Sequence, residues 1–361
     1  IPKISEQEDS QSATKVLLKM LSTVHKLNMH RFENTSLQTL NRPLFEALIG
    51  FFLKEVSDVI KKGIRSQYTR VEERKPYLKG QLQTSKQLNQ RPGCLNSFHI
   101  SYDDFSSDTA ENRLIRSALN QVMKWSKNSD NLRLGSELQF ALDDIPYSKN
   151  YAFDFRQWSK ERSLVHYRTV KPWCELILSY CSPVSLSGLH NGISMLFPME
   201  NLFERYVAIR LGKSLQPSLK LKTQVNSCAL VTHKPHSGKS QEWFRLKPDI
   251  VVSDKTSHEP LYVADTKWKR IDEKQATAKQ KYGISQSDMY QMFAYGQNYL
   301  GGSGVVYLIY PAYEHFKESL PPFRFDENLA VKVITYDLVD DECELLGVEC
   351  SGKYSSPELS C

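Results

Sequence analysis

Two aspartates and a lysine, Asp249, Asp265 and Lys267, have the types and spacing best suited to chemistry in this sequence. A hard divalent cation such as Mg²⁺ takes oxygen ligands, commonly one or two carboxylates together with water and phosphate. A backbone carbonyl, such as that of Thr266, can complete the set. Such a cation lowers the pKa of a bound water and stabilises charge on a phosphodiester oxygen. A neighbouring ammonium can orient the water or neutralise the developing charge, so these residues predict metal-assisted phosphodiester hydrolysis.

An ordinary structural role for the same residues is the alternative. Asp249 can cap a loop, and Asp265 and Lys267 can form a surface ion pair on an edge strand. The catalytic interpretation is favoured by the Pro-Asp pair at 248–249, by the sixteen positions between the two aspartates and by the apolar runs beside both.

A β-hairpin is the element that has to bring these side chains together. Apolar runs at 250–252 and 261–264 lie on either side of a turn-rich segment, 253–260. Short runs of β-branched and aromatic residues bounded by turn residues are typical of two adjacent strands joined by a loop. Pro248 cannot donate to a sheet ladder and therefore belongs at a strand start, which places Asp249 at the mouth of the hairpin.

Side-chain periodicity adds to this arrangement. Side chains alternate along a strand, so Asp265 and Lys267 point to the same face and Thr266 to the other. An amphipathic helix before the hairpin carries Glu200 and Glu204 four positions apart, and an acid on its flank can reach the hairpin as a metal ligand or water-positioning group. Ordinary helix surface is the preferred interpretation for Glu200 and an equal alternative for Glu204.

A helix after the hairpin carries Gln291 and Tyr295 four positions apart, and they therefore face the same way. A serine at 285 or 287 can cap this helix, and Gly301-Gly302 ends it.

The apolar pattern predicts an α+β chain with α/β character in its C-terminal half. The N-terminal half is mostly helical with a small sheet, and the C-terminal half has a mixed central sheet flanked by helices. Predicted helices cover 14–27, 43–67, 112–126, 136–142, 172–182, 198–215 and 285–300, and predicted strands cover 68–82, 99–105, 219–231, 305–310 and 330–336. A Ser- and Gly-rich segment predicts a boundary, which gives an N-terminal domain at 1–185, a C-terminal domain at 186–350 and a disordered tail at 351–361.

Basic and aromatic side chains alternate in one stretch of the N-terminal half, 68–82. The residues are Tyr68, Arg70, Arg74, Lys75, Tyr77 and Lys79. Such a surface can follow a nucleic-acid backbone. A half-exposed sheet with solvated long side chains explains the pattern equally well, and both interpretations stay open.

Composition sets the broad class of the protein. A net charge of +6 is compatible with a phosphate-backbone partner without requiring one. No apolar run approaches the ~18 residues of a membrane span, and no signal peptide is found, so a cytoplasmic chain without membrane contact is expected. The seven cysteines form no Cys-x-x-Cys pair, which favours reduced thiols. Cys228, His233 and His236 lack a fourth partner nearby, so a surface loop is preferred to a zinc site.

Together these features resemble the PD-(D/E)xK nuclease superfamily, with Pro-Asp and Asp-x-Lys on a hairpin, an acidic helix before it and Gln-x-x-x-Tyr on a helix after it. More narrowly, the chain resembles the McrC subunit of McrBC-type 5-methylcytosine-dependent restriction systems. The stretches that carry the resemblance are PYLKGQL at 76–82, YDDFSSDTAENRLIRSAL at 102–119, LFPMENLFERYV at 196–207, LKPDIVV at 246–252, VADTKWKR at 263–270 and YGISQSDMYQMFAYGQNYLGG at 282–302.

The resemblance implies a C-terminal PD-(D/E)xK nuclease domain and a Mg²⁺-dependent DNA endonuclease activity, with Mn²⁺ as an alternative cofactor. Asp249 and Asp265 match the metal-binding acids, and Lys267 matches the catalytic lysine. Gln291 and Tyr295 match the motif that lies beside the active site in the RecB-like branch, where it helps to position the metal site or DNA.

Glu204 falls where the PD-(D/E)xK superfamily often places an acid on a helix. The resemblance also implies that the chain acts with partners. McrC-like subunits act with McrB, a GTP-dependent AAA+ ring that reads modified cytosine and translocates DNA. The subunit docks on this ring through its N-terminal part and stimulates GTP hydrolysis. This sequence has no Gly-x-x-x-x-Gly-Lys-[Ser/Thr] loop, as expected if the partner alone binds GTP. The expected substrate is duplex DNA containing modified cytosine.

Two other functions stay open at this point. The nuclease-like fold can serve as a non-catalytic adaptor on an AAA+ ring, in which case the two aspartates take up no metal. A RecB-like DNA repair exonuclease would keep the chemistry but would depend on chain ends.

Overall fold

The computed structural model describes residues 10–27, 44–89, 96–159, 161–180, 183–185, 193–195, 198–236 and 238–345. The chain divides into two compact units. Unit 1 comprises Ile1–Lys26 and Pro198–Cys361, and unit 2 comprises Leu27–Phe197. The sequence placed the division at 185/186 and the first helix in the N-terminal domain, whereas this helix belongs to unit 1. The tail predicted at 351–361 lies outside the described residues.

Both units contain helices and strands. The helices are α1 Ser10–His25, α2 Leu44–Lys62, α3 Thr84–Leu88, α4 Ala110–Trp125, α5 Ser129–Ala141, α6 Tyr151–Gln157, α7 Tyr167–Glu175, α8 Met199–Ser214 and α9 Gln286–Tyr299. The strands are β1 Gln67–Lys75, β2 Gln81–Leu82, β3 Phe98–Ser106, β4 Pro183–Ser185, β5 Ile193–Met195, β6 Leu219–Thr223, β7 Ala229–His233, β8 Gln241–Arg245, β9 Ile250–Asp254, β10 Pro260–Thr266, β11 Gly304–Pro311, β12 Phe323–Arg324 and β13 Leu329–Tyr336. The predicted α+β class is confirmed.

Unit 1 is built on a six-stranded mixed sheet in the order β12-β13-β11-β10-β9-β6. Strands β10, β11 and β13 are parallel neighbours, while β9 pairs antiparallel with β10 and with β6. The predicted hairpin is therefore β9–β10, and β10 lies inside the sheet rather than at its edge. A parallel step from β10 to β11 requires a crossover, and α9 supplies it. The predicted mixed sheet flanked by helices is confirmed.

Helix α9 lies close against the sheet of unit 1. Ser285 caps it by accepting a hydrogen bond from the Asp288 N–H at 3.2 Å, as predicted. A Cβ atom at Gly296 would lie only 2.6 Å from Leu329 Cδ1 on β13, so glycine permits the close approach. Met292 and Tyr295 of the helix are buried in the core beneath the parallel strands.

Helix α1 packs against α8 within unit 1. A shared carboxylate explains this placement. Asp341 forms ion pairs with Lys19 of α1 at 2.8 Å and with Arg210 of α8 at 2.5 Å, and it accepts a hydrogen bond from Tyr206. Sequence proximity had suggested that the helix belongs with the following helices, but packing and this ion pair join it to a distant part of the chain.

Unit 2 combines helices α2 and α4 to α7 with a three-stranded sheet in the order β1-β3-β2. Strands β1 and β3 pair antiparallel along their whole length. The basic side chains around this sheet have partners within or beside it. Lys75 and Lys79 pair with Glu73 and Asp104, Lys86 of α3 pairs with Glu72, and Arg70 and Arg74 donate to the hydroxyls of Ser101 and Ser97. This pairing supports the interpretation as a solvated, half-exposed sheet.

One predicted strand, 219–231, is wrong. Two separate strands, β6 and β7, occupy this range, and β7 pairs with β8 in a small sheet of its own. Gln224 has a φ of +52°, outside the extended region, and its N–H donates to the Asp249 carbonyl at 3.1 Å. This local turn ends β6 and directs the chain away from the main sheet.

A buried carboxylate in unit 2 gives a prediction about acid stability. Glu46 of α2 accepts hydrogen bonds from Ser126 Oγ at 2.7 Å, Lys127 N at 2.6 Å and Asn131 Nδ2 at 2.8 Å. Burial opposes the ionised form, but these bonds outweigh it and lower the pKa of Glu46. We expect Glu46→Gln to lower the free energy of unfolding by about 1–3 kcal/mol at pH 7.

The pH dependence of this effect follows from the sign of the shift. A lowered folded-state pKa gives a contribution that is present above the unfolded pKa and lost as pH falls through the folded value. Urea unfolding should therefore show a gap in the free energy of unfolding between wild type and Glu46→Gln that is smaller below pH 4 than at pH 7. Glu137→Gln, an exposed change on α5, serves as the control. A gap of equal size at both pH values would contradict the assignment.

Candidate active site

The first aspartate lies at the mouth of the β9–β10 hairpin, as predicted. Asp249 Oδ2 accepts hydrogen bonds from Thr266 N and Thr266 Oγ1, both at 2.8 Å. These two bonds lock the first acid to the end of the second strand. Burial raises the pKa of Asp249, although the Thr266 bonds and the Lys267 charge oppose the shift.

The second aspartate is buried at the end of β10. Asp265 is 2% exposed, and its Oδ2 lies 2.6 Å from Lys267 Nζ. Apart from this ion pair, Oδ2 meets no donor in hydrogen-bond geometry among the described residues. Burial first, and then the Asp249 carboxylate, raise the pKa of Asp265 to about 7. The two acids are therefore close enough to repel one another, and the surface ion pair on an edge strand does not describe them.

Lys267 is held by two elements. Its N–H donates to the Ile309 carbonyl of β11 at 2.9 Å, which continues the parallel ladder past the end of β10. Its Nζ donates to Gln291 Oε1 at 3.0 Å. Burial lowers the pKa of Lys267, but the Asp265 carboxylate outweighs burial and leaves the pKa raised. The side chain is therefore a fixed cation at the carboxylate pair.

The pair predicted on the helix after the hairpin lies beside this lysine. Gln291 Nε2 donates to Tyr295 OH at 2.7 Å, so lysine, glutamine and tyrosine form one hydrogen-bonded chain. Tyr295 is 2% exposed, and burial raises its pKa. The spacing of four on α9 puts both side chains on the face that covers the ends of β10 and β11.

The two glutamates of α8 also reach this region. Glu200 and Glu204 line the same cleft as both aspartates. Glu204 is connected more directly, because Gln224 Nε2 donates to Glu204 Oε1 and lies 3.4 Å from Asp249 Oδ1. Burial and the Asp249 charge raise the pKa of Glu204. No such contact joins Glu200 to the aspartates among the described residues.

The two aspartates, the two glutamates, Lys267 and Gln291 meet in a cleft of about 330 Å³. Its lining residues are Glu200, Asn201, Glu204, Lys247, Asp249, Asp265, Thr266, Lys267, Trp268, Lys269, Asp288 and Gln291. Both carboxylates and lysine ammonium groups therefore line a polar cavity at one end of the parallel strands. A cavity of this character suits a phosphate-containing ligand held with a cation better than an apolar molecule.

Several polar residues of the site were missed by sequence reasoning or given no place in it. Gln224 links two acids, and Lys247 lines the cleft just before Pro248. Asp288 is 5% exposed and pairs with Lys269 at 3.3 Å. The position of Asp288, three residues before Gln291 on the same helix face, was an available signal. Nothing in the sequence around Gln224 indicated its role.

The donor set fits a divalent cation completed by solvent and substrate. Apart from the Lys267 ion pair, Asp265 Oδ2 meets no hydrogen-bond donor among the described residues, and Gln224 lies 3.4 Å from Asp249 Oδ1. Two carboxylates that raise one another's pKa provide the negative field that a cation neutralises. Among the described residues no group of three or more His, Cys, Asp or Glu forms a metal centre by itself. A Thr266 carbonyl ligand stays a prediction.

The possible zinc ligands of the sequence serve other purposes. His233 packs against Trp243 with ring centroids 4.5 Å apart and the rings tilted by 50°, and Cys228 approaches the Asn298 carbonyl of α9 at 3.6 Å. Cys174, Cys228 and Cys343 are free thiols in the part of the chain that the structure describes. The preference against a zinc site therefore agrees with their surroundings.

The hydrogen-bonded chain on α9 yields a prediction about positioning. We expect Gln291→Ala to slow any lysine-dependent reaction of this site by about tenfold, since the lysine loses its orienting acceptor while keeping Asp265. Tyr295→Phe, which removes a hydroxyl one step further away, should have a smaller effect. Cleavage kinetics of both variants over a range of substrate concentrations provide the measurement. A larger loss in Tyr295→Phe than in Gln291→Ala would contradict this order.

No helix in the described ranges is long and apolar enough to cross a membrane. A model of the family described as "McrBC 5-methylcytosine restriction system component" matches residues 1–311. No curated protein matches the sequence significantly.

Two solved structures from Thermococcus gammatolerans are similar. A chain of "Refined half-complex from tetradecameric assembly of Thermococcus gammatolerans McrB AAA+ hexamers with bound McrC" is 21% identical with a TM-score of 0.59, over 95% of this chain and 75% of that one. A chain of the "Cryo-EM structure of the Thermococcus gammatolerans McrBC complex" is 22% identical with a TM-score of 0.43, over 60% of each. The first of these likenesses shows a shared fold.

Proposed function

The chain belongs to the McrBC 5-methylcytosine restriction system component family, and on that premise we propose that it is the McrC-like DNA endonuclease subunit of such a system. The observation that carries the proposal is the cleft in which Asp249, Asp265 and Lys267 meet. The cleft lies at the end of a buried hairpin, and all three side chains are held in place by hydrogen bonds or ion pairs.

Asp249 and Asp265 would hold Mg²⁺, or Mn²⁺ in its place, with Thr266 contributing its carbonyl. The bound cation would lower the pKa of water and stabilise negative charge on a phosphate. The protein's own contribution is positioning and charge. Thr266 fixes Asp249 through two hydrogen bonds, and Gln291 holds Lys267 Nζ at the cleft.

Lys267 is suited to act on the substrate directly. Its ammonium can orient the attacking water and neutralise charge that develops on the phosphodiester oxygens. Glu204, held by Gln224, can accept a proton or fix a water on the other side of Asp249. Tyr295 supports Gln291 from the buried side of the helix and therefore positions the site rather than touching substrate.

The proposed partners follow from the family and from the similar assembly. The related complex contains McrB AAA+ hexamers with bound McrC. We propose that this chain likewise acts with a McrB-like AAA+ ring, that the ring binds and hydrolyses GTP, and that this chain stimulates the hydrolysis. The proposed substrate is duplex DNA with modified cytosine.

A plasmid assay tests the proposal. Methylated and unmethylated plasmids are incubated with the chain, Mg²⁺, the AAA+ partner encoded beside it and GTP, each omitted in turn. Cleavage should require the chain, the metal and the partner with GTP, and should favour the methylated plasmid. Retained partner GTPase stimulation with no nicking in Mg²⁺ or Mn²⁺ would instead identify an adaptor. Cutting that requires free chain ends would identify an exonuclease.

A further inference from the structure

The β7–β8 ribbon, Ala229–His233 paired with Gln241–Arg245, is exposed along nearly its whole length. It carries large apolar side chains that no core covers. Trp243 is 40% exposed and Phe244 70% exposed, and Leu230 and Val231 on the partner strand are about half exposed. Exposed apolar residues that cluster on one small element commonly mark a binding surface.

The base of this ribbon is anchored firmly to unit 1. Leu246 N–H donates to the Cys228 carbonyl at 2.9 Å, which closes the two ends together. Both residues pack against the core cluster beneath the parallel strands. Tyr299 OH of α9 lies 3.3 Å from the Leu246 carbonyl. The ribbon is therefore a fixed projection, and its exposed side chains are presented by a defined backbone.

The charge of the ribbon is positive. Residues 229–245 carry Lys234, Lys239 and Arg245 against the single carboxylate of Glu242. Glu242 is already neutralised by Arg245 at 3.1 Å. Lys234 and Lys239 are exposed and form no ion pair within the described residues. They are free to meet phosphates.

The ribbon leads directly into the candidate active site. Lys247, two positions after Arg245, lines the cleft, and Asp249 follows it. A polyanion lying in the cleft would therefore meet this element next. A two-stranded ribbon can also enter the major groove of B-DNA, which is about 12 Å wide.

We propose that the β7–β8 ribbon binds the groove of the DNA duplex beside the phosphate to be cut. The inference rests on the proposed function, because it takes the cleft to be the place of cleavage. Lys234 and Lys239 contact backbone phosphates, and Trp243 and Phe244 pack against sugars and base edges. The excess of unpaired cations and the continuity with the cleft favour DNA over a protein partner, which would match the apolar residues but not the charge.

Measurements of DNA binding by the whole chain test the proposed contacts of Trp243 and Phe244. In a Lys267→Ala background, fluorescence anisotropy with a labelled duplex gives the dissociation constant. Trp243→Ala combined with Phe244→Ala should weaken binding by about tenfold. Phe140→Ala, which removes an even more exposed aromatic on α5, should leave the affinity unchanged. Unchanged affinity in the double variant would overturn the inference.

The salt dependence of DNA affinity tests the proposed phosphate contacts of Lys234 and Lys239. Lys234→Ala combined with Lys239→Ala should lower the slope of log affinity against log salt concentration by about two, because two phosphate contacts are lost. Lys213→Ala on α8 is the matched control, with an unchanged slope expected. An unchanged slope in the ribbon variant would count against phosphate contact.

Crosslinking tests whether the β7–β8 ribbon contacts DNA or a protein partner. A photoreactive benzoylphenylalanine at Phe244, in the assembly with the AAA+ partner, GTP and DNA, should label DNA. Labelling of the partner instead would assign the ribbon to a protein interface and overturn the inference.

Failure of this inference can be distinguished from failure of the proposed function. If wild type cuts plasmid and the ribbon variants bind and cut identically, only this inference falls. If DNA binding depends on the ribbon but no cleavage occurs with any partner, only the nuclease assignment falls.

Discussion

We expect the replacement of Lys267 with alanine to reduce the rate of the proposed DNA cleavage by about 10³-fold, or about 4 kcal/mol of transition-state stabilisation. The physical reason is the position of the ammonium. Lys267 Nζ lies 2.6 Å from Asp265 Oδ2 and 3.0 Å from Gln291 Oε1, so its charge is fixed where phosphate would bind. The plasmid assay with saturating metal, partner and GTP measures the loss.

A control from the same hairpin separates this effect from general damage. Lys255, at the opposite end of the hairpin, is exposed, and Lys255→Ala should cut at the wild-type rate. Circular dichroism and stimulation of the partner's GTPase should be unchanged in both variants, which shows that fold and assembly persist. Full cleavage by Lys267→Ala would refute the assignment of the active site. Lys267→Arg, which keeps the charge, should recover part of the activity if the charge rather than the amine is required.

Replacing Arg65 with alanine should destabilise unit 2 by about 3–5 kcal/mol, the largest stability effect that we expect from a single change. Arg65 Nη1 donates to Glu111 Oε1 at 2.6 Å, and Glu111 is 1% exposed. Without Arg65, the carboxylate keeps the Ser159 N–H at 2.6 Å but has no ion-pair partner among the residues that the structure describes. A buried charge that loses its partner costs far more than a surface ion pair contributes.

A double-mutant cycle tests whether the buried charge is the cause. Glu111→Gln removes the charge, so Arg65→Ala combined with Glu111→Gln should be less destabilised than the two single changes together. Urea unfolding followed by tryptophan fluorescence suits unit 2, because Trp125, Trp158 and Trp173 lie within it. Arg133→Ala, an exposed change on α5, should cost less than about 0.5 kcal/mol. Additive effects in the cycle would contradict the explanation.

Local pattern determined much of the candidate site. Strand alternation placed Asp265 and Lys267 together, and helix spacing placed Gln291 and Tyr295 on one face. These inferences depend only on the fixed side-chain periods of strands and helices, which can be read from short stretches of sequence. The single strand predicted at 219–231 was wrong, because apolar content alone does not show where a strand leaves its sheet.

Helix ends illustrate the same limit. A helix was predicted at 172–182, with Pro172 as its first residue. Pro172 lies instead inside α7, which begins at Tyr167. Burial of Tyr167 and Val170 extends the helix toward its N-terminus and outweighs the local cost of the proline.

The sequence by itself predicted a kind of chemistry, and it determined the hairpin and the helix that follows. Only the tertiary structure decided how those parts meet. It put β10 inside the sheet, which buried Asp265 and raised its pKa, and it brought Gln224 between Glu204 and Asp249. It also left the β7–β8 ribbon exposed beside the cleft. The reason is physical: contacts between distant residues depend on strand order and packing, and no local period encodes them.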